Sequence, residues 1–336
     1  MDVQVIEAQH SDHRAAPSRR RLLRMVAAAI VTFLLVEGAV RVVEAGVDEE
    51  QLYASSIETH TRQLRDGRTP DVLTVGSSSA GAAVWAPGLI EAGVACDAYS
   101  VWLEGPTMED IARYVTHTFD DMPVPRRVLL GVTMREFNAT STKLDNEEVD
   151  SFLDADRAGG LMGALEDRLA IIRMRAVFQD PPRLGRVVLG AEDSQVGSDG
   201  HHLPSLDRVI AEETAKHRQQ EIDEMADYRL RDTDLLALEA LIGYLADRGA
   251  DVTVVNLPVT DTFIQLTPNG TTDYLEYVAA MEEVARRTET PFFDGQAVDL
   301  SAETQFADVN HLNRDGSRAF TNALVDEGPL ESGVTC

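Results

Sequence analysis

Five short apolar runs, each followed by a stretch with helical spacing, constrain this chain more than any other feature. They lie at residues 72–75, 98–102, 127–132, 252–258 and 291–294. Strands separated by helices cannot pair as hairpins. The crossovers instead force them into a parallel sheet, which predicts an α/β fold built from βαβ units. Among the intervening segments, residues 232–248 carry Leu235, Leu238, Ile242 and Leu245 on one helical stripe, and Gly249 supplies a stop. Residues 273–287 repeat the pattern ahead of Pro291, and Asn313 suits the N-cap of a closing helix through Phe320 and Leu324.

The alternation lapses between residues 139 and 231. There the chain has an acidic stretch at 145–156, helical spacing at 161–178, a Pro181-Pro182 break and a polar helical stretch around 206–228. Such an insertion reads as a cap over one edge of the sheet, in the manner of a lid or substrate platform.

Ahead of the sheet, residues 1–18 are polar, Arg19, Arg20, Arg21 and Arg24 form a basic cluster, and residues 22–43 are mostly apolar. Glu37 and Arg41 interrupt the far end, which leaves an unbroken core shorter than the ~20 residues that span a bilayer comfortably. Both charges can snorkel to the interface. Basic residues before the helix and acidic ones after it place the N-terminus in the cytoplasm and the chain beyond about residue 45 outside. A cleaved signal peptide ending at Val43-Glu44-Ala45 and a merely buried helix are the alternative readings. The expected organisation is a cytoplasmic tail at 1–21, a signal-anchor helix at 22–45, a stalk at 46–70, an α/β domain from 71–138 and 232–330, and a helical insertion at 139–231.

The formal charge of −27 over 336 residues repels phosphate backbones, so nucleic acid is excluded as a partner. Cys96 and Cys336, the only cysteines, lack metal-ligand spacing. They read as a buried thiol and a free tail thiol, with a disulfide as the alternative outside the cytoplasm. His201-His202 has no companion ligands, and the chain has no Gly-rich phosphate loop; no cofactor and no metal are expected. Trp85 and Trp102 flank the first two motif blocks and are read as core or rim packing, with the lining of an acyl or sugar pocket as the alternative.

Chemistry enters with two motifs at opposite ends of the domain. After the run at 72–75, Gly76-Ser77-Ser78 begins a small-residue turn into a helix, which sets Ser78 at the sheet's C-terminal edge, where ligands of open α/β sheets bind. Late in the chain, Asp308 and His311 are three residues apart; on one helical turn they would point the same way. A carboxylate, an imidazole and a hydroxyl in that relation make an activated nucleophile, Ser78, with His311 as base and Asp308 as its orienting acid. Taken alone, Ser78 also reads as an ordinary helix N-cap, and Ser77 and Ser79 lie beside it.

These motifs resemble the SGNH/GDSL hydrolase superfamily, in Gly76-Ser77-Ser78, Gly105 after the second run, Gly131 through Asn138 after the third, and Asp308-Val309-Asn310-His311 near the end. Ser77 stands where the family has Asp, a change similar to the membrane-anchored branch of DltD-like and AlgJ/AlgX-like proteins. No Asn-Asp pair follows Gly131. The resemblance implies a flavodoxin-like three-layer α/β/α sandwich with about five parallel strands. It also implies an oxyanion hole from the Ser78 and Gly105 amides, with the side chain of Asn138 or Arg135 as a further donor. The implied activity is an extracytoplasmic esterase or O-acyltransferase acting on acyl, typically acetyl, esters of envelope or exopolysaccharide sugars. A membrane-bound acyltransferase is an implied partner. Two alternatives accompany it: a degenerate member that binds glycan or such a partner without turnover, and a membrane-tethered lipid ester or thioester hydrolase.

Overall fold

A parallel sheet forms wherever the five apolar runs were read, with its ends displaced by one or two residues. The computed structural model describes residues 19–44, 56–139, 147–158, 168–173, 196–202, 205–212, 215–330 and 336. Parts of the sequence reading fall outside them: the 1–18 tail, the 45/46 cleavage point, most of the helical stretch at 161–178 and the Pro181-Pro182 break.

In chain order the elements are α1 (Arg19–Glu44), α2 (Ser56–Arg65), β1 (Val72–Ser77), α3 (Ser78–Ala83), α4 (Ala86–Glu91), β2 (Ala98–Leu103), α5 (Met108–Thr118), β3 (Arg127–Val132), α6 (Glu147–Ala158), α7 (Ala170–Arg173), α8 (Ala215–Met225), α9 (Asp232–Asp247), β4 (Asp251–Asn256), α10 (Asp261–Ile264), α11 (Thr271–Arg287), β5 (Phe292–Asp294) and α12 (Arg314–Asp326). The strands pair in parallel in the order β2-β1-β3-β4-β5, the doubly wound, flavodoxin-like arrangement.

Period-two alternation divides the strand side chains between two cores. Leu73, Tyr99, Val128 and Val252 face one layer, packing against Ile57 of α2, Ile111 and Tyr114 of α5, Leu238 and Leu245 of α9 and Tyr277 of α11. Val72, Ala98, Leu129 and Val255 face the other, with Ala80 of α3, Leu89 of α4 and Phe320 and Leu324 of α12. Burial on both faces explains why the strands read as continuous apolar runs.

Helix α3 can lie this close to the sheet because its residues are small. A Cβ added at Gly76 would sit 2.2 Å from the Gly131 carbonyl oxygen and 2.6 Å from the Ala80 Cβ. Asn313 caps α12 as expected, accepting from the Asp315 and Gly316 N–H groups at 3.1 Å each, and Gly249 follows α9 at φ +87°.

Three readings are corrected here. Residues 56–65, expected in a stalk, form α2, whose Ile57 and Leu64 belong to the sheet core. Of the polar helix expected around 206–228, the described residues form a 3-10 turn at Ile210–Glu212 and α8, while the Leu206 and Arg208 carbonyls accept from the Arg314 N–H and the Asn313 amide at the start of α12. Cys96 and Cys336 form a disulfide across 240 positions rather than standing as separate thiols, since the end of the chain returns beside the turn before β2.

The insertion is closed at its neck. Ala139 N–H donates to the Arg229 carbonyl at 2.8 Å and Arg231 N–H to the Phe137 carbonyl at 2.9 Å. Helix α1 carries exposed Leu, Ile, Val and Phe side chains, and its Leu23–Val43 span is long and apolar enough to cross a membrane.

Candidate active site

Strand β1 ends at Ser77, and Ser78 is the first residue of α3. Strand order reverses between β1 and β3, so this turn stands at the switch point where an open sheet forms its crevice. Ser77 gives α3 no side-chain cap. The first turn of the helix therefore directs N–H dipoles toward the space beside Ser78.

The other half of the site comes from the loop between β5 and α12. A bridge between Phe306 and Leu312 closes it, and Thr260 holds it from below, its Oγ1 and N–H both donating to the Val309 carbonyl. Asp308 Oδ1 accepts from the Asn310 and His311 N–H groups at 3.1 and 2.8 Å. The helical turn expected over Asp308 and His311 is therefore absent; the carboxylate takes the N–H groups that a helix would give to carbonyls. The tight turn still brings the two side chains together. His311 Nδ1 lies 2.9 and 3.0 Å from the two Asp308 carboxylate oxygens, and its Nε2 lies 2.8 Å from Ser78 Oγ.

All three side chains are buried. Burial pushes the His311 imidazole down, but the Asp308 carboxylate, with Glu221 behind it, outweighs this and leaves its pKa above the ordinary value. For Asp308 burial acts upward, and His311 together with the Asn310 N–H overcomes it, so the carboxyl stays ionised far below the usual range. With Asp308 facing Nδ1, the neutral imidazole presents an unprotonated Nε2 to the hydroxyl. Ser79 Oγ is buried and makes no hydrogen bond, and Ser77 Oγ lies beside the Glu136 carboxyl without bonding it in good geometry. Ser78 alone of the three meets the imidazole.

The other nominated residues divide. Gly105 follows β2 at the same edge of the sheet as Ser78, with φ +54°, a conformation that leaves little choice of residue. The Asn138 amide ties the neck of the insertion, donating from Nδ2 to the Glu224 carbonyl at 2.8 Å and accepting from the Arg229 N–H at 3.2 Å. Arg135 is buried against Glu221 at 3.5 Å and Glu224 at 2.5 Å, both on α8. Burial drives the Glu221 carboxyl up, against the pull of Arg135.

A histidine stacked on the imidazole escaped the sequence reading. The His202 ring stacks on that of His311 with centroids 5.2 Å apart and planes 20° apart, and Trp102 meets His202 edge-on at 4.7 Å. Behind Trp102, His60 bonds Tyr99 at 3.0 Å through Nδ1 and accepts the Trp102 N–H at Nε2; burial pushes it down to about 3. His201 packs against Trp85. A His-His pair in a polar loop and an unremarkable His60 carried no signal of this, because the partners are distant in sequence.

No family model matches the chain, and no curated protein matches it. Among solved structures it is similar to the inhibitor-bound form of the M. smegmatis aryl esterase, with 12% identity and a TM-score of 0.39 over 76% of this chain and 96% of that one. The native form of that esterase gives 13% identity and a TM-score of 0.36 over 76% and 96%. A carbohydrate acetylesterase family member from Sinorhizobium meliloti gives 15% identity and a TM-score of 0.33 over 76% and 94%.

Proposed function

We propose that this protein is a serine esterase or O-acyltransferase of the SGNH/GDSL kind, anchored by α1 with its α/β domain outside the cytoplasm. The observation that carries the reading is the unbroken hydrogen-bond chain from Ser78 Oγ through His311 to Asp308. His311 Nε2 takes the hydroxyl proton as Ser78 Oγ bonds to the ester carbonyl carbon. The carbonyl electron pair moves to oxygen, where the Ser78 and Gly105 amides receive it. Collapse breaks the bond to the alkoxy oxygen, which leaves with the proton from His311, and the acyl group stays on Ser78. Water or a sugar hydroxyl then repeats the sequence in reverse, with His311 again as base. Asp308 stabilises the imidazolium in both halves.

An acetylated sugar of the cell envelope is the substrate class, a reading that rests on the resemblance of the motifs. The Cys96–Cys336 disulfide supports an oxidising compartment. Retention of the helix is supported by Glu37, whose carboxylate accepts from the Ala170 and Ile171 N–H groups at the start of α7 at 2.8 and 3.1 Å. Cleavage after residue 45 would strip the insertion of that partner.

A second reading, a degenerate member that binds glycan without turnover, draws on the Asn138 amide, which is bonded within the neck of the insertion. Reaction of the full-length protein in detergent with a fluorophosphonate separates the two. Wild type should label and Ser78→Ala should not, with His311→Ala slowed by about three orders of magnitude or more. No labelling of wild type would favour the binding reading, and His311→Ala labelling at the wild-type rate would remove the general base.

A further inference from the structure

We propose that His202 is a positioning residue for the base, a flat neutral wall that holds the His311 ring in the plane joining Asp308 to Ser78. This deepens the functional reading above and rests on it. The two imidazoles lie nearly parallel, 20° apart with centroids at 5.2 Å, while Asp308 and Ser78 bond the His311 ring at its two nitrogens. Two edge contacts leave rotation about the line through those nitrogens to be limited by whatever packs on the faces of the ring.

The loop that carries His202 is built to hold it there. His202 N–H donates to the Gly81 carbonyl in the nucleophile's own helix at 3.0 Å, and His202 bridges to Val196. Two residues earlier, the Gly200 carbonyl accepts from Trp102 Nε1 at 3.0 Å, and Ser100 N–H donates to the Asp199 carbonyl at 3.0 Å. A Cβ at Gly200, where φ is +80°, would lie 1.9 Å from the Ser100 carbonyl oxygen. The loop thus grips the edge strand β2 by its backbone, and Trp102 of that strand presses edge-on to the His202 ring from behind.

The chemistry of the ring also calls for an explanation. His202 Nδ1 is buried and makes no hydrogen bond, so hydrogen bonding at that atom does not account for an imidazole in this packed position. Burial, the charge that His311 acquires, His201 and Arg208 hold His202 neutral against the opposing pull of Asp308. The groups around His311 that share in its titration are Asp308 on its own loop, Glu221 on α8 and Arg135 after β3. Burial is the largest cause lowering its pKa, so loss of the wall should admit water and raise it.

The test uses full-length protein and three variants, His202→Phe, His202→Leu and His202→Ala, each checked for an unchanged thermal midpoint. Two readouts are followed against pH: the rate of fluorophosphonate capture, and the downfield proton resonance of His311 Nδ1–H. The Ala and Leu variants should lose about 10- to 100-fold in rate, with the resonance shifted or broadened and, in Ala, which admits water, the inflection moved up, whereas Phe should stay near wild type. If Ala does not fold, the Phe and Leu pair carries the comparison. Equal loss in Phe and Leu, or a wild-type rate and resonance in Leu, would overturn the proposal. Failure of the functional reading looks different: wild type would not be captured at all, while the resonance would still report whether the wall holds the ring.

Discussion

In the proposed mechanism His311 takes the serine proton at an unprotonated Nε2, so the acid limb of a rate profile follows its pKa. That pKa is raised, and capture at Ser78 should therefore inflect above the ordinary imidazole value of ~6.5, with the rate lost as pH falls through it. Asp308→Asn removes the largest raising cause and leaves burial in place. The inflection should fall, and the maximal rate should drop by about 10³- to 10⁴-fold, because the amide favours the wrong tautomer. A pH–rate series on both proteins checks the pair of effects; an unmoved inflection would mean that His311 is not the titrating base. At this scale the two motifs, Gly76-Ser77-Ser78 and Asp308 with His311, were legible in the sequence as candidates, because each is short and its local chemistry is visible. His202 was not, since a stacked ring announces itself only through its partner. Nothing near Asn138 in sequence indicates the neck of the insertion that its amide ties.

At the scale of elements, close approach of α3 to the sheet sets where Ser78, the proposed nucleophile, stands. Gly76→Ala puts a Cβ against the Gly131 carbonyl, a backbone atom of the neighbouring strand that cannot rotate away. Overpacking of this kind should cost about 1–3 kcal/mol, read as a lower denaturation midpoint, with capture at Ser78 slowed as α3 shifts. A midpoint equal to wild type would show that the contact is slack. The strands and the α9, α11 and α12 helices were readable because their periodicity is local. The stretch at 308–311 was not read as a turn, since a three-residue spacing suits a helix and an aspartate-nucleated loop alike. Helix α2 was hidden in a polar stretch, where six buried residues in ten, Ser56, Ile57, Thr59, His60, Thr61 and Leu64, show its inward face.

Across the whole molecule, the chain's end is tied to the turn before β2. Cys336→Ser opens a link across 240 positions and should lower stability by about 2–5 kcal/mol, seen as a reduced thermal midpoint that reductant reproduces in wild type. An unchanged midpoint, or a thiol titre of two in the oxidised protein, would remove the disulfide and its support for an external compartment. The alternation of strand and helix, the apolar first helix, the acidic surface and the two motifs were determined by the sequence alone, because each is a property of neighbouring residues. Only the tertiary structure decided which serine faces the imidazole, what lies against its ring, and where the last cysteine goes. Those outcomes depend on approach through space between segments whose spacing along the chain encodes nothing about their distance.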